Sequence, residues 1–160
     1  MVKSAKSFSD HIVVLILAES NDPLTNILNL ITNIATQSRD NIKIVVLGES
    51  EYLRRLYDVR RNWERLQSDL HVLTMGGDPF NTDDLSSAGL DNASCCIIIS
   101  ANDCTESTVA ETTQILAANF VRSFLLTRGQ ATNKYIPVIT EISKNLVFNR
   151  NENQYTVNKN

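Results

Sequence analysis

In the stretch HIVVLILAESNDPL, from His11 to Leu24, an apolar run gives way to Glu19, Ser20, Asn21 and Asp22 and then to an amphipathic segment. Nucleotide-binding α/β proteins use such a junction as a glycine-rich loop, which lets the backbone approach a pyrophosphate at a helix N-terminus. This junction contains no glycine, and Glu19 and Asp22 place negative charge where a phosphate would sit. Asp22 followed by Pro23 instead supplies an N-cap and a first-turn proline, its carboxylate already satisfying the helix dipole. Ala18, Glu19, Ser20, Asn21 and Asp22 therefore read as a degenerate nucleotide loop, and no cofactor is expected there. Glu49 in LGES stands near the place of a ribose-binding acid, in a register displaced by about one residue.

The remaining reactive side chains do not converge. His11 and His71 open separate apolar runs and read as sheet-end histidines, too isolated for a triad or a metal cluster. Asp78 after TMGG and Lys144 after the last apolar run invite comparison with a phosphoacceptor receiver domain. The first run, however, ends in Ala18 without an acidic pair, and the analogy is one of fold alone. There is no D-x-D-x-D-G calcium loop. Asp40, Asp78, Asp83, Asp84 and Asp103 are scattered carboxylates, each read first as a cap or a surface acid, with calcium as the ion they would take together. Three cysteines, Cys95, Cys96 and Cys104, match neither a zinc spacing nor a disulfide framework and suit a reducing compartment. Cys104 lies at a helix start, where the dipole favours thiolate, although an ordinary half-buried thiol is the plainer reading. A net charge of −3 argues against nucleic acid or an anionic membrane as partner. No catalytic site is expected.

The elements that would position these groups are well marked. The 160 residues, 42% hydrophobic and 21% charged, suit one globular domain. HIVVLILA, NIKIVVLGE, HVLTMGG, SCCIIISA and YIPVITEI are apolar, β-branched runs, most of them continuous rather than alternating, the pattern of strands covered on both faces. Between them, Leu24, Ile27, Leu28, Ile31 and Ile34 form one helical stripe, and Tyr52, Leu56, Val59, Trp63 and Leu66 form another. Glu51 stands four residues before Arg55 and Arg54 four before Asp58, so the arginines of the second helix belong to a salt-bridged face. NTDDLSSAGL is a short capped helix closed by Gly89, and a long fourth helix runs from about Cys104 to Arg128. Strand and helix thus alternate into an α/β, Rossmann-like doubly wound parallel sheet of five strands in the order 3-2-1-4-5. Residues 1–10 are expected as a disordered lead, 11–146 as the domain and 147–160 as a polar tail. The start, MVKSAKSFSD, lacks the apolar core of a signal peptide, and no run reaches the about 18 apolar residues of a membrane span.

GGDPFNTDDLSSAGLDNASCCIIISAND, with its Gly-Asp, Leu, Ala-Gly and small residue before an apolar strand, resembles the RCK domain, a regulator of potassium conductance. Together with HIVVLILA, NILNLITNI, IKIVVLGESEYLRRL, IIISAND and IPVITEI, it is similar to the second RCK domain of Slo-type calcium-activated potassium channels, over about Asp10 to Leu146. The resemblance implies a cytoplasmic regulatory domain of an integral membrane channel. Such a domain would assemble with other RCK domains as a homo-oligomer, in the gating ring of a tetrameric channel, and transmit ligand binding, with calcium as the ligand, to a membrane pore domain. It also implies that the glycine loop was lost with the nucleotide. SRDNIKIVV is similar to the stretch in which the first domain of those channels places a calcium-ligating aspartate, which makes Asp40 the metal candidate. Nothing after Glu141 matches the acidic calcium-binding cluster of the second domain, so the chain is expected to be the N-terminal, Rossmann-like lobe of such a domain. The alternatives on this fold are a nucleotide-sensing regulatory subunit of a potassium transporter and a receiver-like or dinucleotide-binding domain.

The fourth helix carries an expectation of its own. ILAANFVRSFLL, Ile115 to Leu126, is apolar nearly all the way round, more than one sheet face can cover. Leu116, Ala117, Phe120, Val121, Phe124 and Leu125 are therefore expected as a self-association interface, in the part of the fold through which RCK-like domains pair.

Overall fold

The computed structural model describes residues 4–18, 23–37, 42–59, 72–101, 108–129, 135–140, 146–148 and 155–157. Strand β1 (Ile12–Leu17) leads to α1 (Thr25–Gln37), β2 (Ile44–Gly48) to α2 (Ser50–Asp58), and β3 (Val72–Gly76) to α3 (Thr82–Ser87) with a 3-10 turn at Leu90–Asn92. Then follow β4 (Cys95–Ser100), α4 (Thr108–Gly129) and β5 (Val138–Thr140). The five strands form one sheet in the order β3-β2-β1-β4-β5, parallel throughout. This is the α/β, doubly wound architecture that the alternation of apolar runs and helical stripes predicts.

Side-chain alternation divides the strands between two cores. Val13, Leu15, Val45, Leu47, Cys96 and Ile98 face α3, the 3-10 turn and α4, where Leu85, Leu90, Ala117 and Val121 are buried against them. Val14, Ile16, Ile44, Val46 and Ile99 face α1 and α2, meeting Ile27, Ile31, Tyr52, Leu53 and Leu56. Both faces are covered, which is why the strands read as unbroken apolar runs.

Several boundaries differ from expectation. Helix α1 begins at Thr25, with the Leu28 amide bonded to the Leu24 carbonyl, so Pro23 precedes the helix rather than opening it. Val59 is 57% exposed because α2 ends at Asp58 and Val59 is its C-cap. Glu51 pairs with Arg54 at 3.7 Å, one turn away. Trp63, Leu66, His71, Asp103, Cys104 and Lys144 lie outside the described residues.

Two corrections concern the ends. The lead expected to be disordered packs on the domain from Ser4: Ala5 is buried, and its amide donates to the Ser87 carbonyl. A small side chain gives no sequence signal of such burial. Strand β6 (Leu146–Phe148), which straddles the expected end of the domain, pairs antiparallel with β7 (Tyr155–Val157) in the expected polar tail as a separate two-stranded sheet.

Candidate functional site

At the carboxyl ends of the strands, where an open α/β sheet binds its ligand, the described residues are committed to structure. Ala18 is half-buried at the exit from β1, and Glu19, Ser20, Asn21 and Asp22 lie outside the described residues. Beyond them, the buried Tyr52 donates its hydroxyl to the Pro23 carbonyl at 2.8 Å, tying α2 to the approach to α1. After β3, the Asp84 carboxylate accepts the Asp78 amide at 2.9 Å, and the Asp78 carboxylate accepts the Phe80 amide at 2.8 Å. Asn81 caps α3, its side-chain oxygen accepting the Asp83 and Asp84 amides. A Cβ on Gly77 would lie 2.9 Å from both Asp84 Cγ and Leu47 Cδ1; this glycine admits close packing of the loop on β2.

Asp78 and Asp84 thus act as local caps, as the plainer reading of the scattered aspartates predicts. Among the described residues no group of three or more His, Cys, Asp or Glu side chains is placed to hold a metal ion. Asp40, the calcium nominee, lies outside the described residues. His11 is a buried sheet-end histidine whose Nε2 lies 3.0 Å from the Ala88 carbonyl. A carbonyl only accepts, so Nε2 carries the proton. Burial raises the Cys95 thiol pKa against the lowering effect of a Ser94 hydrogen bond. Burial, then the neighbouring Cys95, raises that of Cys96 much further. Neither is poised as a nucleophile.

The surface with most to offer is the outer side of α4. Leu116 is 56% and Leu126 74% exposed. Phe120 is partly buried, with its ring 5.9 Å from that of Phe80. Phe80 itself is 38% exposed in the turn before α3. Leu116, Leu126 and Phe80 are thus the exposed apolar groups of this region, with Phe120 and Leu125 partly buried against the core. Ala117, Val121 and Phe124, expected at the interface, are corrected to core residues: all three are buried against the chain's own sheet. The helix is apolar nearly all round because one side is core and another carries leucines to solvent. Phe80 was not singled out from the sequence; an aromatic residue in a short turn between Pro79 and an N-cap was its one signal.

A family model described as the calcium-activated potassium channel slowpoke-like RCK domain matches residues 7–146. The calcium-activated potassium channel slowpoke of Drosophila melanogaster is 27% identical over 115 residues, 68% of this chain and 9% of that protein. The chain therefore corresponds to a small part of that relative. The human SLO3 gating ring aligns with 74% of this chain and 21% of its own at 20% identity and a TM-score of 0.50. The GsuK RCK domain aligns with 86% of this chain and 23% of its own at 15% identity and a TM-score of 0.49.

Proposed function

The chain belongs to the slowpoke-like RCK domain family, and from that premise we propose that it is a cytoplasmic regulatory domain of a potassium channel. In this reading it works without catalysis, as one member of a gating ring of RCK domains beneath a membrane pore domain. Ligand binding shifts domain against domain, and the pore responds to the arrangement it favours. Calcium is the ligand sensed by the assembly, with Asp40 as one ligand of a set completed elsewhere. The family match carries the reading, because it runs through the entire parallel sheet and the helices on both its faces.

Assembly uses the outer side of α4, where Leu116 and Phe80 expose apolar surface and the partly buried Phe120, packed on the core, meets Phe80. Sedimentation equilibrium tests this directly. The wild-type chain is expected to self-associate, and the pair Leu116→Glu and Phe80→Glu to leave a folded monomer. A wild type that stays monomeric at high concentration, or an association untouched by the pair, removes the interface from α4. In the parent channel the same substitutions are expected to weaken ligand-dependent opening without changing single-channel conductance. An unaltered response to ligand would overturn the regulatory reading.

A further inference from the structure

The segment at 4–10 is fastened to the domain at several points ahead of β1. Ala5 is 1% exposed, and its amide donates to the Ser87 carbonyl at 2.6 Å, an oxygen that also accepts from the Ser4 hydroxyl at 3.4 Å. The Phe8 amide turns back onto the Ala5 carbonyl at 2.9 Å, and the Asp10 amide donates to the Asn92 carbonyl at 3.0 Å. The Phe8 ring meets the His11 ring edge-on at 5.9 Å, and the Lys43 ammonium stands 4.5 Å from its centre.

The receiving turn is shaped for this segment. Gly89 has φ 70, and a Cβ there would lie 2.7 Å from the Ala5 carbonyl oxygen. Only glycine combines that backbone with that approach. Asp10 also has a positive φ, 56, and a non-glycine residue in that region is held there by its surroundings. The buried Ala5, a few polar bonds and the Phe8 ring hold the segment; none of its residues belongs to the sheet, so it can leave without opening the strands. Ala88 and Leu90, on either side of Gly89, are buried in the core cluster that contains Ala117 and Val121 of α4.

We infer that residues 4–10 form a clasp that hands displacement of the chain entering at Ser4 to the turn at 87–92 and, through Ala88 and Leu90, to the inner side of α4. The clasp is an input point distinct from a ligand site. Its docked state requires Gly89 and holds Asp10 left-handed, and its release frees both. Coupling onward to assembly rests on the α4 surface proposed above; the clasp itself does not.

Amide hydrogen exchange on the full chain, read by NMR, tests it. In the wild type the amides of Ala5, Phe8 and Asp10 are expected to be protected. Ala5→Asp is expected to raise exchange there, and at Gly89 and Asn92, at least tenfold while Val14 and Val46 stay protected. Phe8→Ala, a milder change, is expected to act in the same direction and guards against simple unfolding by the first variant. An unprotected lead in the wild type would overturn the clasp. So would a released lead that leaves Gly89 and Asn92 unchanged, or both variants opening the sheet equally. Ala5→Asp is also expected to weaken self-association. If the wild type does not associate, the α4 surface fails, and exchange at Gly89 and Asn92 still decides the clasp.

Discussion

Single side chains in this domain are tuned toward packing rather than reaction. Cys96 is the sharpest case. Its thiol is raised far above the ordinary value of 9.0, first by burial and then by the adjacent Cys95. Above that value the unfolded chain sheds the thiol proton while the folded chain keeps it, so the unfolded state binds fewer protons and stability falls as pH rises. Urea unfolding across the alkaline range is expected to show that decline, and Cys96→Ala to flatten it. In a background with Cys95→Ser and Cys104→Ser at neutral pH, a bulky thiol reagent is expected to label Cys96 only after unfolding. Rapid labelling of that native chain would contradict its burial in β4 on the side of the sheet that α4 covers. Asn81 offers a second measure at this scale. Its side chain accepts two amides at the start of α3, and losing such a cap costs about 1 kcal/mol. Asn81→Ala is expected to lower the melting temperature by about 2–4 °C, the shift such a loss produces in a domain of this size. A melting curve identical to wild type would show that the cap carries no weight.

The elements differ in how plainly they are written. Strands covered on both faces are legible because most read as continuous apolar runs rich in β-branched residues, and the parallel order follows from the helices between them. The Leu24, Ile27, Leu28, Ile31 and Ile34 stripe is likewise buried or partly buried as its spacing predicts. Helix α4 is the element whose period misleads. When leucines point to solvent and alanines to the core, apolar residues occur all round, and the sequence does not say which of them the sheet has taken. The structure gives Ala117, Val121 and Phe124 to the core and leaves Leu116 and Leu126 outside. The lead was illegible for a related reason: Ala5 is buried because Gly89 vacates space for it, a relation between residues far apart in the chain. Substitutions within α4 separate the two roles. Val121→Asp leaves an unpaired charge in the core, costing on the order of 4 kcal/mol, a large part of the about 5–15 kcal/mol that holds a domain together. It is expected to unfold or strongly destabilise the chain by thermal melt. Leu116→Glu is expected to stay within about 0.5 kcal/mol of wild type, as surface changes do. If Leu116→Glu proved as damaging as Val121→Asp, the assignment of inner and outer sides would be wrong.

At the scale of the whole molecule, a fold suited to nucleotides is proposed to work as a regulatory part. Calcium titration of this chain alone is expected to show weak or no binding, because a set completed elsewhere lacks ligands here. Micromolar affinity unchanged by Asp40→Asn would remove both that weakness and Asp40 as nominee. The nucleotide expectation has a separate physical basis. A dinucleotide site needs glycines between the first strand and its helix, so that pyrophosphate can lie against backbone amides at a dipole end. Of the five glycines in this chain, none falls between β1 and α1. Glu19 and Asp22 are carboxylates in that connection, and their charge has the same sign as that of the phosphates. On the neighbouring side, the Tyr52 hydroxyl is bonded to the Pro23 carbonyl at the entrance to α1. A nucleotide seated at this junction would have to meet acid where it needs donors. A ligand that binds only the folded state raises its melting temperature by mass action, by about 2.7 kcal/mol of stability at a hundredfold excess over its dissociation constant. Millimolar NAD, NADH, ATP or AMP is therefore expected to leave the melting temperature unchanged. A saturable rise that vanishes when the Ala18–Leu24 loop is substituted would mean that the junction still holds a nucleotide, by contacts other than glycine backbone.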